Sequence, residues 1–222
     1  MSYAAIELEN QLLQLKKAGI VGGRLIVCIG DSITYGYTVP RAAAWCALAG
    51  AMTKNRVINL GLCGDTTAGM LARAESLPDA PRIDAIALMG GGNDLMMGRT
   101  GGEICENLAA IARYAAGRGA RPIVCLSPCV TPRGVQPFFT YPPFFADSDG
   151  FDAARREGNE RLRAAAEQNG WAVADFSAAL CRADGAADPA CYNDNVHPNP
   201  EGHRRMAEVF APLLQNMFPD LP

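Results

Sequence analysis

The amino-acid sequence predicts an α/β protein built as a three-layer α/β/α sandwich around a five-stranded parallel sheet. Two observations lead there. Short runs that are apolar throughout recur along the chain, and segments with helical spacing lie between them. A strand covered on both faces shows no polar alternation, and a parallel neighbour can be reached only by a crossover long enough for a helix. Together they imply right-handed βαβ units with helices on both faces of the sheet.

The five apolar runs are Arg24 to Ile29, Arg56 to Leu60, Ala85 to Met89, Pro122 to Ser127 and Trp171 to Asp175. Helical spacing marks Arg41 to Thr53, Ala68 to Ser76, Gly102 to Gly117 and Phe151 to Asn169, with terminal helices near Ile6 to Lys17 and Glu201 to Met217. Gly117 and Gly119 are stop signals. Pro200 suits the first turn of the last helix, where its missing N–H costs nothing. The stretch from Pro128 to Gly150 breaks the rhythm: it holds five prolines with Phe138, Phe139, Tyr141, Phe144 and Phe145, and is too long for a tight connection. A self-packed surface loop and an aromatic wall over a substrate cleft both account for it.

Nothing in the 222 residues resembles an interdomain linker, so one domain over 1–222 is expected. With 49% apolar and 19% charged residues the chain can bury a sizeable core, which excludes intrinsic disorder. A net charge of −3 without long runs of one sign offers no footprint for nucleic acid or an anionic membrane. Glu7, Glu9, Lys16 and Lys17 interrupt the N-terminal apolar residues, so neither a signal peptide nor a membrane anchor is expected, and the location implied is cytoplasmic. The eight cysteines fit reduced core thiols better than a disulfide scaffold. Cys181 and Cys191 are the pair that a short loop could join. No Cys/His cluster has zinc-ligand spacing, and no cofactor is expected.

Open parallel sheets bind ligands beyond the carboxyl ends of their strands. After the first strand stands Gly30-Asp31-Ser32-Ile33-Thr34-Tyr35-Gly36, where a tight turn into a helix would aim backbone N–H groups at an anion, although a serine there can equally be a plain helix cap. After the second comes Asn59-Leu60-Gly61-Leu62-Cys63-Gly64-Asp65-Thr66-Thr67, whose Gly64 is either a turn residue or a bare N–H donor. The third ends in Gly90-Gly91-Gly92-Asn93-Asp94, an amide on a loop whose three glycines suggest close approach of something to the backbone. Imidazole chemistry must come from His197 or His203, the two histidines of the chain. His203 falls inside the last helix beside Arg204 and Arg205, a solvated or packed place. His197 lies on a loop in Asp194-Asn195-Val196-His197-Pro198, where Asp194 can curl back onto the imidazole.

Taken jointly, Gly-Asp-Ser, Asn-x-Gly-x-x-Gly-Asp, Gly-Gly-Asn-Asp and Asp-x-x-His-Pro, in that order from Leu25 to about Met206, resemble the four sequence blocks of the SGNH hydrolase superfamily, the GDSL-type esterases and lipases. The resemblance implies a flavodoxin-like sandwich and a serine esterase acting through an acyl-enzyme on a small-molecule ester. It also implies Ser32 as nucleophile, Asp194 and His197 completing a triad, and an oxyanion hole made by the Ser32 and Gly64 N–H groups with the Asn93 amide. Ile33 replaces the leucine of the GDSL name, a volume-conserving change. A short acyl group such as acetyl, on a carbohydrate, is the expected substrate, with Phe138, Phe139, Tyr141, Phe144 and Phe145 against it. Lysophospholipase or thioesterase activity is the alternative within the superfamily. Two alternatives lie outside it: a metal-dependent phosphoesterase using Asp31, Asp65, Asp94 and Asp194, and an inactive binding module.

Overall fold

A computed structural model describes residues 2–130, 142, 145 and 147–219. Five parallel strands, β1 (Leu25–Gly30), β2 (Arg56–Gly61), β3 (Ala85–Met89), β4 (Arg121–Leu126) and β5 (Ala172–Asp175), form one sheet in the order β2-β1-β3-β4-β5. Leu25 pairs with Arg56 on one side of β1, and Ile26 with Ala85 on the other.

Strand periodicity sorts the core into two layers. Leu25, Val27 and Ile29 of β1 face one cluster, while Ile26 and Cys28 face the other. The first cluster is covered by α1 (Tyr3–Lys17), α4 (Thr67–Glu75), α6 (Gly101–Gly117) and α7 (Ser148–Asn169), through side chains such as Leu8, Met70, Leu108 and Leu162. The second is covered by α3 (Trp45–Thr53) and α9 (Pro200–Met217), with Trp45 edge-on to Phe176 and Phe210. Handedness dictates this division. The step from β1 to β2 runs one way along the sheet and the steps to β3, β4 and β5 run the other, so right-handed crossovers put α3 opposite to α4, α6 and α7. Because the order reverses between β1 and β3, a crevice opens at their carboxyl ends, where Ser32 and Asn93 follow their strands.

The expected helix over Arg41 to Thr53 is divided into a 3₁₀ turn, Arg41–Ala43, and α3. Ala44 is extended with ψ 143°, and the Trp45 N–H at the start of α3 donates to His203 Nδ1 at 3.3 Å. A tertiary partner thus caps this helix where the local sequence has no capping side chain. Three short helices, α2 (Ser32–Tyr35), α5 (Gly92–Met96) and α8 (Phe176–Ala179), span too few residues to show a period. No helix among the described residues is long and apolar enough to cross a membrane.

Candidate active site

The turn that carries Ser32 is held by side chains on both of its flanks. Asp31 caps α2, its Oδ1 accepting from the Ile33 N–H at 3.0 Å. Asn59 on β2 donates to the carbonyls of Thr34 at 2.7 Å and Tyr35 at 3.4 Å, and its Oδ1 accepts from the Gly61 N–H. A Cβ on Gly61 would lie 2.1 Å from the Tyr35 nitrogen, so only glycine lets β2 pass this close to α2. The sequence places Asn59 in a block without assigning it a task; its signal is a polar residue in an otherwise apolar strand.

Ser32 opens α2 with its side chain toward the loop that precedes α9. Its Oγ lies 3.1 Å from His197 Nε2, and His197 Nδ1 lies 2.8 Å from Asp194 Oδ2. Asp194 Oδ1 accepts from the backbone N–H groups of Val196, 2.8 Å, and His197, 2.7 Å. The carboxylate therefore fixes both the loop and the ring, leaving Nε2 to face the serine. His197 is buried, and the Tyr37 ring packs on it with centroids 4.7 Å apart.

Ser32, Gly64 and Asn93 line one cleft, and each has an N–H group to offer there. The backbone N–H groups of Ser32 and Gly64 have no acceptor among the described residues, and both residues line the cleft. Asn93 Nδ2 donates one hydrogen to the Asp65 carbonyl at 2.8 Å, which leaves its second hydrogen for the cleft. Asn93 stands in the first turn of α5 rather than on a loop. In the Gly90 to Gly92 run, side chains of the core approach the backbone closely at the first two positions. A Cβ on Gly90 would meet Met70 Sδ at 2.5 Å and one on Gly91 would meet Ile104 Cγ2 at 2.8 Å, whereas Gly92 faces open space. Arg73 ties the assembly together by donating to the carbonyls of Leu60 and Gly30 and to Asp65 Oδ2.

The cleft above these groups encloses about 470 Å³, with apolar walls from Met96, Val130, Phe151 and Val196 and polar groups from Ser127 and Arg155. The aromatic expectation fares differently by residue. Phe138, Phe139, Tyr141 and Phe144 lie outside the described residues. Phe145 is turned away from the cleft: it packs edge-on behind Phe151, centroids 5.2 Å apart, and lines a separate cavity with Leu95 and Arg99. Phe151 reaches the cleft, as does Tyr37, because the first turn of α7 presents the Phe151 ring inward. Cys181 and Cys191 are not paired. Cys191 Sγ faces Asp188, and Cys181 Sγ faces Cys129 instead.

The strand-end carboxylates proposed as alternative metal ligands each serve a different donor. Asp31 caps α2, Asp65 takes Arg73, Asp194 takes His197, and Asp94 takes the Thr67 N–H and hydroxyl at 2.9 and 2.6 Å. Among the described residues no three His, Cys, Asp or Glu side chains are grouped to hold an ion.

Two buried groups near the site titrate in opposite senses. Burial, opposed by the Ile33 N–H and helped by the charges of Asp65 and Asp94, pushes the Asp31 carboxyl up to about 6 from its ordinary 3.8. Burial, with His197 nearby, pushes the His203 imidazole down to about 4 from 6.5. Between pH 4 and 6 the native state therefore holds more protons than the unfolded chain at Asp31, so stability falls as pH rises. At His203 the unfolded chain holds more, so stability falls as pH drops from 6.5 to 4. In the native protein the two slopes offset each other. Asp31→Asn keeps a capping oxygen and removes the buried charge, so it should gain about 1–3 kcal/mol at pH 7. The variant should then lose stability on acidification through the His203 window. Urea unfolding from pH 4 to 7 measures both, and an Asp31→Asn curve parallel to the wild type would count against the assignment.

A glycine-framed serine, an Asp–His pair and the Asn93 amide at the carboxyl edge of a 2-1-3-4-5 sheet are the features that the comparisons bear on: the chain belongs to the GDSL-like lipase/acylhydrolase family, which matches residues 28–205. Esterase TesA of Pseudomonas aeruginosa is 30% identical over 121 residues, a match covering 51% of this chain and 60% of that protein. A lipolytic G-D-S-L family protein from Veillonella parvula superposes with TM-score 0.72 at 29% identity, covering 90% of this chain and all of that one. A carbohydrate acetylesterase family member from Sinorhizobium meliloti shares the fold, with TM-score 0.71 at 18% identity over 88% of this chain and 99% of its own.

Proposed function

We propose that this protein is a serine esterase that cleaves carboxylic esters through an acyl-enzyme on Ser32. The observation that carries the proposal is the unbroken hydrogen-bonded chain from Asp194 through His197 to Ser32 Oγ at the floor of an apolar cleft. Serine is a weak nucleophile at neutral pH, so His197 Nε2 takes the Oγ proton as that oxygen attacks the ester carbonyl. Asp194 stabilises the imidazolium that results. The oxyanion forms beside the Ser32 and Gly64 N–H groups and the second Asn93 hydrogen, donors already in place before charge develops. His197 then protonates the leaving alcohol. A water deprotonated by the same nitrogen attacks the acyl-enzyme, and collapse of that second intermediate frees the acid and restores Ser32.

We infer that the acyl group is apolar and longer than acetyl. Met96, Val130, Phe151 and Val196 are buried or half-buried walls that an acetyl group would leave unused. A carbohydrate alcohol draws support only from the fold shared with the Sinorhizobium protein, which does not carry a substrate. Each methylene placed on the walls contributes about 0.8 kcal/mol, roughly fourfold in kcat/KM while the chain still fits. Across p-nitrophenyl esters from acetate to palmitate, kcat/KM should rise over the first additions and fall for chains that outgrow the cleft. A maximum at acetate would overturn the acyl assignment. Failure of a fluorophosphonate to label Ser32, or loss of hydrolysis on chelation, would overturn the serine mechanism itself.

A further inference from the structure

We propose that Cys129 and Cys181 form an oxidisable pair, which a peroxide converts into a disulfide stapling the cleft wall to the segment after α8. All eight cysteines are free thiols, yet Cys181 Sγ lies 2.7 Å from Cys129 Sγ. That is nearer than two sulfurs in mere contact, and the ~2.05 Å bond requires less than an ångström of further approach. The partners are 52 residues apart in sequence, Cys129 just beyond β4 and Cys181 just beyond α8, so the tertiary structure alone brings them together.

Access is asymmetric. Cys181 is half-buried and lines a second cavity of about 520 Å³ shared with Arg156 and Arg182, of which Ser32 is not a wall. Cys129 is buried behind it, and burial followed by the neighbouring Cys181 thiol pushes its own thiol up to about 12. Cys181 is thus the sulfur that a small oxidant meets first, and Cys129 the one that resolves it. The Cys181 thiolate attacks one peroxide oxygen; the O–O bond breaks, and the departing oxygen leaves as water after taking up a proton, leaving a sulfenic acid. Cys129 sulfur then attacks Cys181 sulfur, the S–O bond breaks, and the hydroxide leaves with the Cys129 proton as a second water. Two thiols lose two electrons and the peroxide gains them.

The staple would act on the site's framework without touching its chemistry. Cys129 stands between Pro128 and Val130, both lining the cleft, and its carbonyl accepts from the Tyr192 hydroxyl. Tyr192 bridges to Pro198, at the two ends of the loop that carries Asp194 and His197. One bond would therefore pin the cleft wall, the triad loop and the residues after α8 to one another, and would shorten a long loop of the unfolded chain.

The test needs no esterase activity, so it is run on Ser32→Ala protein as well as the wild type, which separates its failure from failure of the esterase proposal. After treatment with a small excess of hydrogen peroxide, a non-reducing digest should contain one peptide joining Cys129 to Cys181. Tm should rise by about 5–10 °C. Dithiothreitol should reverse both. Cys181→Ser, a change at a half-buried position, should abolish both, as should Cys129→Ser. Cys181 oxidised to sulfinic acid without the joined peptide would overturn the proposal. So would Cys181 joined to Cys191 or another cysteine, a joined peptide with unchanged Tm, or no reaction at all.

Discussion

Ser32→Ala is expected to lower turnover of p-nitrophenyl esters by roughly 10⁴–10⁶ while leaving the fold intact, because triad members act as a unit whose loss removes the covalent route altogether. Ser32 Oγ contributes nothing to the core. Its partner is His197 Nε2, at the floor of the cleft, and α2 is capped by Asp31 and clipped by Asn59 without it. His197→Ala should cost as much, and the double variant little more than either single one. His203→Ala provides the contrast. That ring is fully buried and accepts the Trp45 N–H, so its loss leaves a cavity and an unmet donor worth about 2–4 kcal/mol. The fraction that folds should nonetheless turn over at close to the wild-type rate. Circular dichroism, denaturant unfolding and active-site titration together separate the two effects. Full activity in Ser32→Ala, or a His203→Ala variant that folds but does not turn over beside an active His197→Ala, would end the assignment.

Asn93→Ala is expected to do two things at once. Losing the bond to the Asp65 carbonyl should cost about 1 kcal/mol of stability, the usual net contribution of such a bond. Losing the second hydrogen should lower kcat by roughly 10²–10³ with KM nearly unchanged, because that donor meets charge present only in the transition state. Asn93→Asp should be worse on both counts, since a carboxylate would face the Asp65 carbonyl on one side and the developing oxyanion on the other. Steady-state kinetics with denaturant unfolding measures both quantities. A destabilised but fully active Asn93→Ala would reduce Asn93 to a tie between α5 and the loop after β2.

Much of the architecture was legible because one physical signal dominates it. Strands covered on both faces read as uninterrupted apolar runs, so the five runs in the sequence end within about one residue of the observed strands. Pro200 marked the start of α9 through a local backbone preference that needs no tertiary partner, and the structure adds Asn199 as its cap. Asp194 and His197 were legible for the same reason, three residues apart on one loop where the contact is short-range. Local patterning thus specifies the layer architecture, the four loops at the sheet's carboxyl edge, and the residue types on them. Burial and local hydrogen bonding, the forces responsible, act over a few residues at a time. The remaining contacts join elements that are distant in the chain. His203 became a buried cap for α3 across 158 residues, Cys181 met Cys129 rather than the nearby Cys191, and Phe151 rather than Phe145 turned into the cleft. In each case several partners are allowed by the local sequence, and the close packing of two helical layers on a twisted sheet selects among them.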